Sequence, residues 1–423
     1  MFTKKNLKNN LEFIKIPMQG TRTATILVLI KTGSRYETRT NNGISHFLEH
    51  MFFKGTKNRP TTFAISSELD SLGAEFNAFT GKEYTGYWIK VRGDKIETAI
   101  DMVSDMLLNS KFSAREIEAE KGVIVEEINM YEDNPMMKIS DVFEQCLYGD
   151  TPLGWGIAGT KDNVRQFKRK DFIDYFHSQY RADNTKIILA GDLRKNCDAQ
   201  IQKYFAPLMQ EIKKFEKTTY TKISENQTKP QSTINFKKCD QVVFSLGVRS
   251  VPLGHKYEFP LRVLASILGG AMSSRLFIEV RERRGLAYYV STQNNFLSDT
   301  GYLTTQAGVT TEKTSEAIKI ILTEYQKISQ KLVNAQELNK VKDMIIGKSI
   351  LQLESSDTVA SWYGRQALKD KIITPNQFLN KIKKISAFEI RAAAQEIFQN
   401  ENLNLAVIGP FRNKKEFDGI LKF

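Results

Sequence analysis

Hydrophobic positions along the chain follow two periods, one typical of strands and the other of helices. The segments "TATILVLIKTG" and "EFNAFTGKEYTGYWIKV" are rich in Thr, Val, Ile and aromatic residues, and they predict strands. In "DKIETAIDMVSDMLLNS" the apolar residues fall on one side of a helix, which predicts an amphipathic helix. Strands and helices that do not alternate strictly favour an α+β sandwich, with helices packed on one face of a mainly antiparallel sheet.

The order of predicted elements occurs twice. Residues 170–193 predict a helix, a turn and an apolar strand that ends at Gly191. Residues 386–411 repeat this plan and end their strand at Gly409, half the length of the chain further on. This separation is far longer than the roughly 20–50 residues of a solenoid repeat. It therefore indicates a duplicated domain.

A second pair of segments gives a similar separation. A helix that starts at Ser113 has a glutamate three residues later, and a helix that starts at Asn334 repeats this capping pattern in the second half. We predict two homologous α/β sandwich domains, residues 1–212 and 233–423. The polar, proline-containing segment 213–232 is predicted to link them.

Composition is that of a globular chain of more than one domain. The 423 residues are 41% hydrophobic and 26% charged, and the formal charge is +13. The lysines are scattered without an aromatic-interleaved basic stripe, which favours a solvated surface over the alternative of nucleic-acid binding. The three cysteines show no C-x-x-C pattern, and the sequence shows no membrane span or secretory signal. We therefore expect a cytoplasmic location.

The stretch "GISHFLEHMFFKGT" holds two of the four histidines of the chain. Its apolar residues recur at helical spacing and predict a core-facing stripe, formed by Ile44, Phe47, Leu48, Met51 and Phe52. His46 and His50 lie one turn apart on the same face, close enough to share a metal ion. Glu49 lies beside the ion, where it can accept a proton from water. The alternative is a solvated helix face with chance histidines.

A zinc site that catalyses hydrolysis needs a third protein ligand and an open position. The helix in "SAREIEAEKGVIVEEINM" offers Glu120 and Glu127, which are two turns apart and share a face. Two inward glutamates repel each other unless a cation compensates, so one could bind the metal while the other supports a histidine. The alternative is an exposed acidic face, which we expect for Glu116, Glu118 and Glu126.

The H-x-x-E-H pattern is the inverzincin signature. The segment "HFLEHMFFKGT" closely resembles the M16 metallopeptidases, which include pitrilysin, insulin-degrading enzyme and the β subunit of mitochondrial processing peptidase. The resemblance runs along nearly the whole chain and implies a short two-domain (M16B) zinc metalloendopeptidase. It assigns zinc binding to His46 and His50, and the role of general base to Glu49.

The family's third ligand belongs to an E-x6-E pair downstream of the histidines. Here "EKGVIVEE" places that ligand at Glu127, with Glu120 as its supporting acid. The resemblance thus implies one Zn2+ per chain, held by two histidines and Glu127.

Two further segments resemble parts of the family that bind peptide substrates. "GAEFNAFTGKEYTGYWIKV" is similar to an edge strand that pairs with substrate main chain, which assigns Asn77, Ala78 and Phe79 to substrate binding. "GGAMSSRLFIEVRERRGLAYYV" is similar to the R-x6-Y of the non-catalytic half, which assigns Arg281 and Tyr288. The alternatives are an ordinary strand, an arginine in a basic surface run and a core tyrosine.

The second half lacks the metal-binding residues. When the halves are aligned on Ser113 and Asn334, the histidines correspond to a segment without histidine or acid, and Glu127 corresponds to Lys348. We therefore predict a catalytic first half and a non-catalytic second half. The expected substrates are unfolded peptides or presequence-like segments, although only Asp141 remains of the two acids by which the processing peptidase reads arginine. The alternatives are a non-catalytic scaffold or a partner subunit, and family members of this length are often homodimers or paired with a second M16 subunit.

Overall fold

The computed structural model of the protein describes residues 2–7, 11–193, 196–209, 218–369 and 371–423. These residues form two compact units, each with one β-sheet. Unit 1 comprises residues 1–129, 156–220 and 350–374, and unit 2 comprises residues 130–155, 221–349 and 375–423. Of the predicted linker 213–232, residues 213–217 lie outside the described residues, and its last two residues begin a strand.

Unit 1 contains a six-stranded mixed sheet. Its strands are β1 (Thr3–Asn6), β2 (Glu12–Pro17), β3 (Thr23–Ile30), β4 (Glu75–Thr80), β5 (Thr85–Arg92) and β6 (Thr185–Gly191). The order across the sheet is β1-β2-β6-β3-β5-β4, in which β2 and β6 are parallel and the other neighbours antiparallel. The strand β4 therefore lies at an edge of the sheet.

Helices cover both faces of this sheet. They are α1 (Ile44–Met51), α2 (Thr62–Ser71), α3 (Ile96–Leu108), most of α4 (Ala114–Asp133), α6 (Lys161–Gln166), α7 (Arg169–Gln179), α8 (Cys197–Phe205) and, from the second half of the chain, α12 (Ser356–Ala367). On one face, Val28 and Ile89 pack in a buried cluster with Phe47 of α1. On the other face, Leu27 packs in a cluster with Val359 of α12.

Unit 2 contains a five-stranded sheet with the order β7-β11-β8-β10-β9. Its strands are β7 (Gln231–Phe236), β8 (Gln241–Ser250), β9 (Ala287–Phe296), β10 (Gly301–Thr310) and β11 (Leu403–Gly409). Its helices are α5 (Pro135–Tyr148), α9 (Glu258–Gly269), α10 (Thr314–Gln330), most of α11 (Ala335–Gln352), α13 (Pro375–Lys384), α14 (Ala387–Ile397) and α15 (Lys415–Asp418), with a π-helical segment at Phe277–Glu282. The strand β9 lies at an edge, as β4 does in unit 1.

The two units repeat one plan, so the prediction of two homologous α+β sandwich domains is confirmed. The strands β6 and β11 begin half a chain length apart, and the helices α4 and α11 have nearly the same separation. The helices α5 and α12, which follow α4 and α11 directly in the chain, occupy equivalent positions in the two halves. These two helices are exchanged: α12 packs on the sheet of unit 1, and α5 packs on the sheet of unit 2.

The position of α5 and α12 corrects one detail of the predicted architecture, namely how many faces of each sheet are covered by helices. The sequence predicted helices on one face of each sheet, whereas a single helix also covers the opposite face. The physical reason is that central strands such as β3 are apolar along nearly their whole length, so both faces must be shielded from water. A division of the chain within the predicted linker, before Gln231, separates the two sheets. It also separates α5 and α12 from the sheets on which they pack.

Candidate metal centre

A buried carboxylate fixes the start of α1. The N-cap residue Gly43 has a φ of 103° and supplies no side-chain cap. Glu37 takes over this function, because its carboxylate accepts the N–H groups of Gly43 and Ser45, both at 2.8 Å, and the side-chain amide of Asn42 at 2.9 Å. A negative charge at a helix N-terminus is also favoured by the helix dipole. A Cβ at Gly43 would lie 2.6 Å from the carbonyl oxygen of Ala158, so the close approach requires glycine.

The apolar side of α1 anchors the helix in the core of unit 1. Phe47, Leu48 and Met51 are fully buried, and the ring of Phe47 lies 4.8 Å from that of Phe172 in an edge-on contact. The opposite side of the helix carries His46 and His50, whose side chains are 13% and 22% exposed. The predicted helix with a core-facing stripe is confirmed.

The two histidines meet Glu127 of α4. The Nε2 atom of His46 lies 3.5 Å from Oε1 of Glu127, and the Nε2 atom of His50 lies 3.5 Å from Oε2. One ligand atom from each of the three residues lies within 4.8 Å of the other two. In a tetrahedral zinc site, ligand atoms about 2.0–2.2 Å from the ion are about 3.3–3.6 Å apart. The two separations of 3.5 Å, each to a different oxygen of Glu127, fall in this range, so the three residues could hold a zinc ion with one position left for another ligand.

The electrostatics of this group favour a cation. The contact with His46 lowers the pKa of Glu127 against the opposing effect of burial. Burial lowers the pKa of His46, but the contact with Glu127 and the charges of Glu127, Glu49 and Glu37 outweigh burial and leave the pKa raised. Partly buried anions that surround two imidazoles form a site in which a positive charge is stabilised. In the part of the chain that the structure describes, this is the one such group of three His, Cys, Asp or Glu residues.

Glu120 orients the second histidine. Its Oε1 atom lies 2.9 Å from Nδ1 of His50, and its Oε2 atom lies 2.6 Å from Nζ of Lys54. Burial would raise the pKa of Glu120, but the contacts with His50 and Lys54 outweigh burial and leave the pKa lowered. A carboxylate on Nδ1 leaves Nε2 available as a metal ligand. The Nδ1 atom of His46 is buried and has no hydrogen-bond partner among the described residues.

Glu49 lies beside the candidate metal-binding group without being part of it. Its Oε2 atom accepts a hydrogen bond of 2.6 Å from the hydroxyl of Thr80, the last residue of β4. Burial raises the pKa of Glu49, and the hydrogen bond from Thr80 and the charges of the two histidines only partly oppose that rise. A carboxylate with a raised pKa is a better proton acceptor at neutral pH than an ordinary one.

The sequence-based assignments omit three of these residues. Glu37 and Thr80 lie at separations that no local pattern links to the histidines, so only the folded chain brings them to α1. Lys54 follows His50 by four residues, which is a helical spacing, and this was the one signal in the sequence that pointed to it.

The edge strand β4 holds the three predicted substrate-binding residues of unit 1. Asn77 is exposed, and its side-chain oxygen accepts the N–H of Ala78 at 2.8 Å. Phe79 is half-buried and contacts Tyr84 at a ring distance of 6.0 Å. The strand packs next to α1, so these residues and the candidate metal ligands belong to one contiguous part of unit 1.

Arg281 and Tyr288 lie together in unit 2. Arg281 is in the π-helical segment, and Tyr288 is on the edge strand β9. The guanidinium carbon of Arg281 lies 5.0 Å from the centre of the Tyr288 ring, a cation–π distance. Tyr288 is 78% exposed, which excludes the alternative of a core tyrosine. Lys348, at the position that corresponds to Glu127, donates to the carbonyl oxygen of Gly270 at 3.3 Å.

None of the helices in the described ranges combines the length and the apolar character that crossing a membrane requires.

Comparisons with known proteins agree with this architecture. A family model described as "Insulinase (Peptidase family M16)" matches residues 14–161, and the model of the "Peptidase M16 inactive domain" matches residues 166–345. The chain is 33% identical over 393 residues to an uncharacterized zinc protease of Bacillus subtilis, covering 93% of this chain and 94% of the relative. It is 33% identical over 411 residues to an uncharacterized zinc protease of Rickettsia felis, covering 97% and 98%.

Solved structures extend the comparison to the fold. A protease from Helicobacter pylori superposes with a TM-score of 0.89 at 22% identity, covering 97% of this chain and 99% of that one. A peptidase M16 inactive domain from Pseudomonas fluorescens superposes with a TM-score of 0.86 at 17% identity, covering 97% and 98%. With both family models matched in order along one duplicated chain, this protein belongs to the M16 (insulinase) peptidase family as a short two-domain member.

Proposed function

We propose that this protein is a zinc-dependent endopeptidase in which Glu49 is the general base. The observation that carries the proposal is the convergence of His46, His50 and Glu127 at distances that suit a tetrahedral zinc ion. Membership of a peptidase family whose relatives are named zinc proteases supports the same conclusion. The proposed content is one Zn2+ per chain.

The residues of unit 1 divide the work of peptide hydrolysis. His46, His50 and Glu127 would hold the ion, and Glu120 would hold the ring of His50 in its ligating orientation. When bound, zinc supplies Lewis-acid chemistry that makes water more acidic and polarises a peptide carbonyl. Glu49 accepts the proton of the attacking water and delivers it to the leaving amine. Its raised pKa, caused mainly by burial, suits both transfers.

The proposed substrates are unfolded peptides or presequence-like segments. An edge strand such as β4 presents unpaired main-chain groups, to which an extended peptide can add as a further strand through Asn77, Ala78 and Phe79. We assign substrate carbonyl binding to Arg281 and Tyr288, and the exposure of Tyr288 supports this role. A cytoplasmic location completes the proposal, supported by the wide separation of the three cysteines in the sequence and by the lack of a C-x-x-C pattern.

The second candidate function is that of a non-catalytic M16-like scaffold or partner subunit. The match of the inactive-domain model to residues 166–345, which include much of the second half, is the observation that favours it. The first half, however, carries the three candidate zinc ligands together with Glu49. A scaffold is not expected to maintain such a set, so the endopeptidase is the better-supported function.

Metal analysis and one substitution test the proposal. Protein purified without chelator is expected to contain about one zinc per chain, and Glu49→Gln is expected to abolish peptide hydrolysis while it keeps the zinc. The control is Glu118→Gln on α4, because the side chain of Glu118 is 70% exposed and pairs with Lys121 at the surface of the helix. Absence of zinc, or full activity of Glu49→Gln, would overturn the proposal. Mass-spectrometric mapping of cleavage sites in a peptide library then defines the substrate preference.

A further inference from the structure

Thr80 holds one of the two oxygens of Glu49. The hydroxyl of Thr80 donates to Oε2 of Glu49 at 2.6 Å, although the two residues are 31 positions apart in the sequence. The other oxygen, Oε1, accepts no hydrogen bond from any residue in the described ranges. The contact therefore fixes the carboxylate and leaves Oε1 available to accept a proton.

The main chain of Thr80 faces the open edge of the sheet. The N–H of Gly81 donates to the carbonyl oxygen of Tyr84 at 2.9 Å and closes the β4–β5 turn. Hydrogen-bonded pairs alternate along an antiparallel ladder, so the next pair, which contains Thr80, is not hydrogen-bonded across to β5. The same alternation applies to Ala78, whose N–H donates to the side chain of Asn77. The main-chain groups of Thr80 and Ala78 are thus directed to where a further strand would add.

We propose that Thr80 is a positioning residue that aligns Glu49 with a peptide paired to β4. This inference rests on the proposed endopeptidase function. A peptide that adds to the edge bonds to the main chain of β4, while the hydroxyl at the end of the same strand holds the base. One strand therefore sets the position of the scissile bond and that of the carboxylate that acts on it. Misplacement of a catalytic group by about 1 Å can cost about 100-fold in rate.

A merely structural role for the hydroxyl makes a different prediction. If Thr80 only satisfies a buried carboxylate, its loss should lower stability without a selective effect on kcat. If it positions the base, its loss should lower kcat and leave KM nearly unchanged, because the main-chain pairing with a peptide does not involve the hydroxyl. The split between kcat and KM therefore separates the two roles.

Two substitutions of Thr80 provide the test on the full chain loaded with zinc. Thr80→Val keeps the shape of the side chain and removes the hydroxyl, and Thr80→Ser keeps the hydroxyl. For Thr80→Val we expect kcat on a cleaved peptide to fall about 10–100-fold, with KM changed less than about threefold and zinc content unchanged. For Thr80→Ser we expect kcat within about fivefold of the wild type. Equal losses in both variants, or a Thr80→Val protein with wild-type kcat, would overturn the inference.

A second readout does not depend on activity. In the metal-free protein, Thr80→Val is expected to lower the Tm in the wild-type background. In the Glu49→Ala background it should lower the Tm less than half as much, because the carboxylate that accepts the hydrogen bond is then absent. Equal shifts in both backgrounds would contradict the contact. A wild-type protein that hydrolyses no peptide overturns the proposed function and this inference together. An active wild type with an unaffected Thr80→Val overturns the inference alone.

Discussion

Replacement of Glu120 by glutamine should weaken zinc binding without removing any proposed ligand. In the folded chain the Glu120 carboxylate lies 2.9 Å from Nδ1 of His50 and 2.6 Å from the ammonium of Lys54. Glutamine keeps the shape of the side chain and one acceptor oxygen. If that oxygen stays with His50, the new amide group faces the Lys54 ammonium, and two donors then oppose each other. The orientation of His50 is weakened in either arrangement of the amide.

The expected loss follows from the contacts that change. Substitution of a group that orients a metal-bound histidine typically lowers metal affinity about 10–100-fold, which corresponds to about 1.4–2.7 kcal/mol. A single hydrogen bond to a charged group contributes about 1.5–3 kcal/mol, a similar amount. We therefore expect Glu120→Gln to raise the Kd for zinc about 10–100-fold, measured by competition with a chromophoric chelator. The exposed Glu118→Gln on the same helix should leave this Kd unchanged.

A double-mutant cycle with Lys54→Met tests the cause of the effect. In the wild type, Lys54→Met takes away a hydrogen bond that holds Glu120. In the Glu120→Gln background it instead relieves the contact between two donors. The change in the free energy of zinc binding caused by Lys54→Met should therefore be more favourable in the Glu120→Gln background than in the wild type, by about 1 kcal/mol or more. Additive effects, or a Glu120→Gln protein whose Kd stays within about twofold of the wild type, would refute the reasoning.

Two further predictions concern packing and ionisation. Gly364→Ala on α12 would place a Cβ 2.6 Å from Cδ1 of Leu29, so the cost of overpacking should exceed the gain in helix propensity and lower the Tm by about 1–2 °C. The control Gly122→Ala, in open space on α4, should raise the Tm slightly. A stabilising Gly364→Ala would contradict the packing. Burial raises the pKa of Tyr289 to about 12, and its hydroxyl has no hydrogen-bond partner among the described residues. The unfolded chain loses this proton near pH 10, so the folded state binds more protons between pH 10 and 12 and loses stability as the pH rises. In urea titrations the free energy of unfolding of Tyr289→Phe should fall about 1–2 kcal/mol less over that range than that of the wild type. Identical pH profiles would contradict this assignment.

The sequence predicted the fold and the family, and both are confirmed. The fold could be predicted because apolar spacing is a local property of the sequence. The duplication could be predicted because equivalent elements such as β6 and β11 lie half a chain length apart. The assignment of His46, His50 and Glu127 to zinc stays a prediction, although the structure brings the three residues together. They were accessible because histidine is scarce and because the residues occupy regular helical positions.

Other contacts of the site depend on tertiary structure. Thr80 reaches Glu49 only because the β4–β5 hairpin packs beside α1, and Glu37 reaches the start of α1 only through the path of a loop. Amphipathic patterns predicted helices but not their partners. An apolar helix face indicates that the helix is buried against another element, but it does not identify the sheet on which the helix packs. The exchange of α5 and α12 was therefore not predicted.

That exchange has a consequence for how the chain is made. Synthesis of the last strand of the unit 1 sheet ends at Gly191, but the helix that covers its second face is complete only at Ala367. At about 5–20 residues per second, a ribosome takes roughly 9–35 s to add the intervening segment. Throughout that interval the apolar side chains of Leu27, Leu29 and Ile188 lack their cover. The nascent first half is therefore expected to need a chaperone until the second half emerges. A gene split at the predicted linker should yield two insoluble products that become soluble only when they are synthesised together.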